Sequence, residues 1–217
     1  MIDFSSIKAV TIPEGEVRQI AVDGVTVWKQ RKQWDYIWDY TMGAPDTSLW
    51  DYPIGTGSVS LVGDEGLHFT ATSSSAYAGL RFKDYAAWLG QKAVYEVEVK
   101  VISASGNGFR IVCASGSNGV SDNHGLQVTL NGNYLNVLTG STTNNIITQT
   151  APVTYGEWHK VRLELDIPTS SNKVYLDDTL VATVVTADLS THYASSVWWL
   201  IQQGDCYVRA VRYRKDG

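Results

Sequence analysis

Glu96 and Glu98 stand two residues apart in the run Tyr95-Glu96-Val97-Glu98-Val99-Lys100-Val101, so in an extended strand both carboxyls leave the same face of a sheet. Two carboxylates on one face can flank a glycosidic bond, one as nucleophile and the other as acid/base. A second chemistry grips a polar ring without cleaving it. The run Trp198-Trp199-Leu200-Ile201-Gln202-Gln203 offers aromatic faces that stack on sugar rings and amides that read hydroxyls. Adjacent Trp198 and Trp199 point to opposite faces, with Gln202 on the side of Trp198 and Gln203 on the side of Trp199. Either one tryptophan packs inside while the other forms a platform, or both pack in the core. Loops at one rim are the other place where such a ligand could be held. Asn107, Asn118, Asp122, Asn123 and His124 come from two polar loops that bracket the strand carrying Arg110, and Tyr85 and Trp88 supply an apolar wall. Asp122-Asn123-His124 also gathers oxygen and nitrogen ligands, which makes Asp122 a candidate calcium ligand, although the same composition builds plain turns. No other cofactor is implied.

The elements that must carry these groups are strands. From Trp158, the residues Trp158, Val161, Leu163 and Leu165 fall at nearly alternate positions with His159, Arg162, Glu164 and Asp166 between them, the period of a strand with one buried face. Asp177-Asp178-Thr179 then reverses the chain between two further apolar runs. Similar runs cover 36–41, 58–62, 67–71, 78–82, 93–101, 109–114, 126–130, 134–138, 158–165, 173–176, 180–185, 197–202 and 207–214, with Gly, Ser and Asn clusters between them. Many short strands without intervening helices predict an all-β sandwich. One helical turn is expected at 84–89, where Asp84 can cap and Gly90 can terminate. Residues 1–33 read separately, as a small meander of runs 7–12, 17–22 and 25–28 with turns at Pro13-Glu14-Gly15 and Asp23-Gly24. The expected organisation is a β-module over 1–33 and a sandwich domain over 34–217.

Composition narrows the function further. The chain has 217 residues, 44% hydrophobic and 18% charged, enough to bury a substantial core. With 22 acidic against 17 basic side chains, a net charge of -5 argues against nucleic-acid binding, which needs clustered Lys and Arg. Eight Trp and 12 Tyr against 4 Phe suit either a gripping surface or a large core. No apolar run approaches membrane-spanning length, and residues 1–8 lack the apolar region of a signal peptide. The two cysteines, Cys113 and Cys206, are therefore expected as free thiols. His68, His124, His159 and His192 form no metal or catalytic spacing, and there is no G-x-S-x-G elbow, phosphate loop or Cys-x-x-Cys.

The W-x-x-V-x-L-x-L-D run from Trp158 and the V-Y-L-D-D-x-L-V run from Val174 resemble late strands of the concanavalin-A-like jelly roll found in laminin-G-like modules and legume lectins. The opening Trp34-Asp35-Tyr36-Ile37-Trp38-Asp39-Tyr40-Thr41 and the closing Tyr207-Val208-Arg209-Ala210-Val211-Arg212-Tyr213 resemble that fold's first and last strands, which pair. The resemblance implies an antiparallel jelly-roll β-sandwich over 34–217 and, as function, carbohydrate binding. Retaining glucanases of the same fold carry E-x-D-x-x-E on one strand. Here Glu98 stands in the place of the Asp and Val101 in that of the third carboxylate, so the catalytic pattern is broken and the expectation is a non-enzyme. The plainer reading of Glu96, Glu98 and Lys100 is the outward face of a half-exposed strand.

The phrase S-I-K-x-V-T-I-P-E-G-x-V-x-x-I-x-V-D-G-V-x-V-W-K, from Ser6 to Lys29, resembles the opening segment of virion and tail proteins in phages and prophages of Gram-positive bacteria. Together the two resemblances imply a virion protein made in a bacterial cytoplasm. It would meet other virion proteins through residues 1–33 and a host-surface glycan through the jelly roll, without entering a membrane. A homo-oligomer fits that role, although no coiled-coil heptad is visible. Two alternatives stay open: a structural protein whose jelly roll decorates or cements the particle, and a glucanase-like hydrolase.

Overall fold

Alternating apolar and polar residues leave little choice but sheet, and nearly every residue described in the computed structural model is in a strand or a turn. The structure describes residues 19–22, 25–29, 34–73, 75–82, 92–114, 125–140, 145–166, 168–185 and 196–215. The chain divides into two units, Met1–Gln33 and Trp34–Gly217. In the first, β1 (Gln19–Val22) and β2 (Val25–Lys29) form an antiparallel hairpin with Val22 opposite Val25. The expected run at 7–12 and the helical turn at 84–89 lie outside the described residues.

The second unit is an all-β antiparallel jelly-roll sandwich. Its strands are β3 (Tyr36–Asp39), β4 (Trp50–Gly55), β5 (Ser58–Val62), β6 (Gly66–Ala71), β7 (Tyr77–Phe82), β8 (Lys92–Ala114), β9 (Gly125–Asn131), β10 (Tyr134–Gly140), β11 (Asn145–Pro152), β12 (His159–Asp166), β13 (Ser171–Leu176), β14 (Thr179–Val185) and β15 (Ser196–Lys215). Two of them, β8 and β15, run antiparallel along their whole lengths and change partners midway. The first half of β8 pairs with β12, which continues to β13 and β14, and its second half pairs with β9, which continues to β10 and β11. Along its other edge β15 meets β7, then β6, then β3. One continuous sheet is thereby folded into two layers. The pairing of β3 with β15, from Asp39 opposite Ala210 to Tyr36 opposite Tyr213, is the first-to-last pairing expected of the fold.

Between the layers lies an aromatic core. Trp38, Trp50, Phe69, Phe82, Tyr95, Phe109, Trp199 and Tyr213 are all buried in it, and the rings of Tyr95 and Tyr213 stack with centroids 4.9 Å apart. Such pairs add about 0.5–1.5 kcal/mol beyond the area they remove from water. Cys113 and Cys206 are buried free thiols, and burial pushes the Cys113 pKa up to about 12.

Two expectations from the sequence change. Trp158 does not join Val161, Leu163 and Leu165 in the core. It is half-exposed, with the Arg209 guanidinium 4.4 Å and the Lys100 ammonium 5.0 Å from its ring centroid, because it is in phase with outward-facing Lys160, Arg162 and Glu164 and one residue out of step with Val161. Glu96 is not on a half-exposed surface either: it faces outward yet is buried, closed over by Arg212.

Candidate functional site

The outward face of β7, β9 and the adjoining halves of β8 and β15 holds a buried cation that no carboxylate among the described residues pairs with. In β8, Phe109, Ile111 and Cys113 fill the core, so alternation turns Arg110 and Val112 to the opposite face. β15 does the same with Val197, Trp199 and Ile201 inside and Leu200 outside, and β9 with Leu126, Val128 and Leu130 inside. Register then sets the neighbours. Arg110 lies opposite Thr129 of β9 on one side and Leu200 of β15 on the other, and Leu200 lies opposite Gly79 of β7. One step along, Gln202 lies between Gly108 and Tyr77. A small apolar cluster of Val112 and Leu200, with half-buried Ile54 and Tyr77 packed against it, adjoins this polar row.

Arg110 is only 4% exposed. Its Nη2 donates to the Oε1 of Gln202, and among the described residues its Nε has no hydrogen-bond partner and no carboxylate pairs with it. Burial alone pulls the guanidinium down to about 10, because removal from water penalises the charged form. Arg81, by contrast, is paired with Asp51 through its Nε at 2.7 Å. A cation, an amide and a tyrosine beside an apolar wall can hold a small polar ligand by charge, hydrogen bonds and ring contact.

The outward face of β12 and the adjoining halves of β8 and β15 is covered by ion pairs. A cleft of about 320 Å³ is lined by Glu98, Trp158, Lys160, Asp177, Asp178 and Arg209. Glu98 accepts from Arg209 at 2.7 Å and from Arg212 at 2.7 Å. Arg212 also donates to Glu96 at 2.8 Å. Lys160 donates to Asp178 at 2.6 Å, and Asp177 accepts from the backbone of Lys160 and contacts His159 Nδ1, each at 2.8 Å. Burial raises the Glu98 pKa, but the hydrogen bonds and charges of Arg209 and Arg212 outweigh it and hold the carboxyl below its usual range.

Of the residues singled out in the sequence, the structure brings Arg110 and Gln202 into direct contact. Trp199 is wholly buried in the core, its ring edge-on to Trp50 with centroids 5.6 Å apart, and offers no surface to a ligand. Gln203 sits where β15 bends, with a positive φ of 53°, and lines a different groove with Thr70, Ser103 and Asp205. Trp198 and Asn107 have backbone places in β15 and β8, but their side chains lie outside the described residues, as do Tyr85, Trp88, Asn118, Asp122, Asn123 and His124 entirely. Among the described residues no three His, Cys, Asp or Glu come together as a metal would need. Sequence reading passed over Thr129 and Tyr77. Thr129 was legible in the alternation of 126–130, whereas Tyr77 gave no signal.

No protein-family model and no curated protein matches the chain. Solved structures share its fold. A mutant of the Emp46p carbohydrate recognition domain aligns with a TM-score of 0.64 at 12% identity, covering 84% of this chain and 98% of that one. The metal-free form of the same domain aligns with a TM-score of 0.61 at 10% identity, covering 84% and 98%. The carbohydrate binding module CBM66 from Bacillus subtilis aligns with a TM-score of 0.53 at 13% identity, covering 76% and 94%.

Proposed function

We propose that this chain is a non-catalytic carbohydrate-binding protein of a phage virion, whose jelly roll adheres to a host-surface glycan through the outward face of β8, β9, β15 and β7. The observation that carries this reading is the meeting of Arg110 and Gln202 on that face, beside Tyr77 and the Leu200 cluster. Solved structures of the same fold that are named for carbohydrate recognition support it. The assignment to a virion rests on the resemblance of Ser6 to Lys29 to phage opening segments. The absence of catalysis rests on the broken carboxylate motif and on the arginines that engage both Glu96 and Glu98.

A glycan array probed with the full chain, beside a folded Tyr77→Ala variant, tests the reading. Saturable binding that weakens at least ~10-fold in the variant supports it, since a stacked aromatic is a typical anchor. Failure to bind any glycan overturns it. The second reading, particle decoration, is favoured by the exposed Tyr40, Met42, Leu61 and Val62, which lie in or beside two turns that touch, 40–42 and 63–65. Such apolar exposure is suited to a protein contact, and Met42→Asp would then impair assembly without altering glycan binding.

A further inference from the structure

We infer that Arg110 receives the oxyanion of an acidic saccharide, a carboxylate or a phosphate carried on a sugar ring. The inference rests on the carbohydrate-binding reading and adds to it the class of sugar.

A buried guanidinium ordinarily comes with a carboxylate, because a charge removed from water without an opposite charge is strongly unfavourable. Arg110 is buried on the face turned away from the core, beside Thr129 and Leu200, and its one hydrogen-bond acceptor among the described residues is the amide oxygen of Gln202. Four other arginines of the jelly roll are served by carboxylates: Arg81 has Asp51, Arg162 has Glu164 and Asp178, Arg209 has Glu98, and Arg212 has Glu96 and Glu98, while Arg214 lies over the Trp34 ring. A neutral amide is the weaker acceptor. An oxyanion that took its place would form charge-assisted bonds with the same nitrogen and could reach the unpartnered Nε as the second tine of the fork. Gln202 is half-exposed, so the amide is the side from which a ligand arrives, and once displaced its amide can read a hydroxyl of the same ring. Tyr77, opposite Gln202 on β7, and the Leu200 cluster supply the apolar surface for the ring's C–H groups. The net charge of -5 gives the protein as a whole no general attraction for anions, so selectivity must come from this one position.

The test uses the full chain labelled with nitrogen-15 and follows the arginine Nε–H signals at constant ionic strength. D-glucuronate, glucose 6-phosphate and D-glucose are the three probes, and the signal that vanishes in Arg110→Lys is that of Arg110. The expected result is a saturable shift of the Arg110 signal with glucuronate, glucose 6-phosphate or both, at concentrations at least ~10-fold below those needed for glucose. Whichever acidic probe acts decides between carboxylate and phosphate. Gln202→Glu supplies a built-in carboxylate of nearly the same shape. It should raise the melting temperature and abolish the shift, so loss of binding there is not loss of fold. Equal response to glucose and the acidic sugars, no response to either acidic sugar, or undiminished acidic-sugar binding in Gln202→Glu each overturns the inference. The glycan array decides the carbohydrate-binding reading separately: neutral glycans bound there with no acidic preference at Arg110 would leave that reading standing and remove this one.

Discussion

The Nη1 of Arg212 lies 2.7 Å from the Oε1 of Glu98. The same nitrogen lies 2.8 Å from Glu96, so one guanidinium ties together the two carboxylates that come nearest to a hydrolytic pair in this chain. Retaining chemistry needs one carboxyl protonated and one free to attack across a gap of about 5–5.5 Å. Against burial, Arg212 and a second cation, Arg209, hold the Glu98 carboxyl below its usual range and occupy the oxygens that attack would need. The pair is built as a structural brace across β8 and β15.

That brace makes the fold acid-sensitive. Arg209 and Arg212 overcome the burial that would raise the Glu98 pKa, and leave it lowered. A carboxyl with a depressed folded pKa contributes stability that is complete above its unfolded value, about 4.3, and is lost as pH falls through the folded value. Urea melts between pH 7 and pH 3 should therefore show native stability falling below about pH 4.3 more steeply than that of Glu98→Gln. Parallel pH profiles would remove Glu98 from the account.

Trp199 is the aromatic whose loss should cost most. It is fully buried, edge-on to Trp50 and 6.0 Å from Tyr95, and its Nε1 has no hydrogen-bond partner among the described residues. Trp199→Ala should destabilise by about 3–5 kcal/mol through the cavity it leaves. Trp199→Phe keeps a ring against Trp50 and removes an unpaired N–H, so roughly 1–2 kcal/mol is expected. Denaturant midpoints of the two variants check the order, and a cost for Phe equal to that for Ala would show that the ring contacts contribute little.

The turn between β13 and β14 separates two aspartates by role. Asp177 and Asp178 both have positive φ, 49° and 65°, and Leu176 pairs with Thr179, which makes a two-residue hairpin turn of the type that favours glycine at its second position. Asp177 holds His159 and the Lys160 backbone, whereas Asp178 makes exposed ion pairs with Lys160 and Arg162. Asp178→Gly should be neutral or stabilising by less than about 1 kcal/mol, since relief at φ offsets weak surface pairs. Asp177→Ala should cost about 1–2 kcal/mol. Thermal melts of both variants decide, and a reversed order would refute the division.

Much of this fold is written in the chain as alternation, and the parts that are not have physical reasons. The runs 67–71 and 159–165 alternate against one buried face and were readable as strands, whereas 58–62 was readable from its β-branched and apolar residues although only Val59 is half-buried. β4 contains Pro53 and Gly55 and, among the described residues, pairs only with β7, with a shift in register between Asp51 and Ile54, so its residues look like a loop. β11, Asn145–Pro152, is polar and, among the described residues, pairs only with β10, and a strand at a sheet edge need not alternate. β8 and β15 each read as two strands because Gly106-Asn107-Gly108 and Gly204 punctuate them, yet each is one strand that bends. The site shows the same limit: Arg110 and Gln202 were separately visible as polar residues on strands, but 92 positions separate them. Only the pairing of β8 with β15 puts them in contact.

The bend in β8 is where fold and site depend on one residue. Gly108 has φ +63°, and a Cβ there would lie 2.3 Å from the Leu130 carbonyl oxygen and 3.1 Å from the Asn131 side chain. An alanine meets both obstacles, a left-handed backbone that penalises any L side chain and a collision with a backbone atom that cannot rotate away. Gly108 also pairs with Gln202 and stands two residues from Arg110. Relief by pushing β9 outward would therefore separate Arg110 from Thr129, and relief by twisting β8 would draw Arg110 from Gln202. Gly108→Ala should lower stability by about 1–3 kcal/mol. In the fraction that stays folded it should also change the Arg110 Nε–H signal, because the guanidinium loses its register with Gln202. Gly132→Ala is the control: it also has positive φ, 60°, but a Cβ there would meet no heavy atom within 4 Å. It should cost about 1 kcal/mol from backbone conformation alone and leave that signal in place. Equal effects of the two alanines on the Arg110 signal would mean that the contact at Leu130 does not set the geometry of the site.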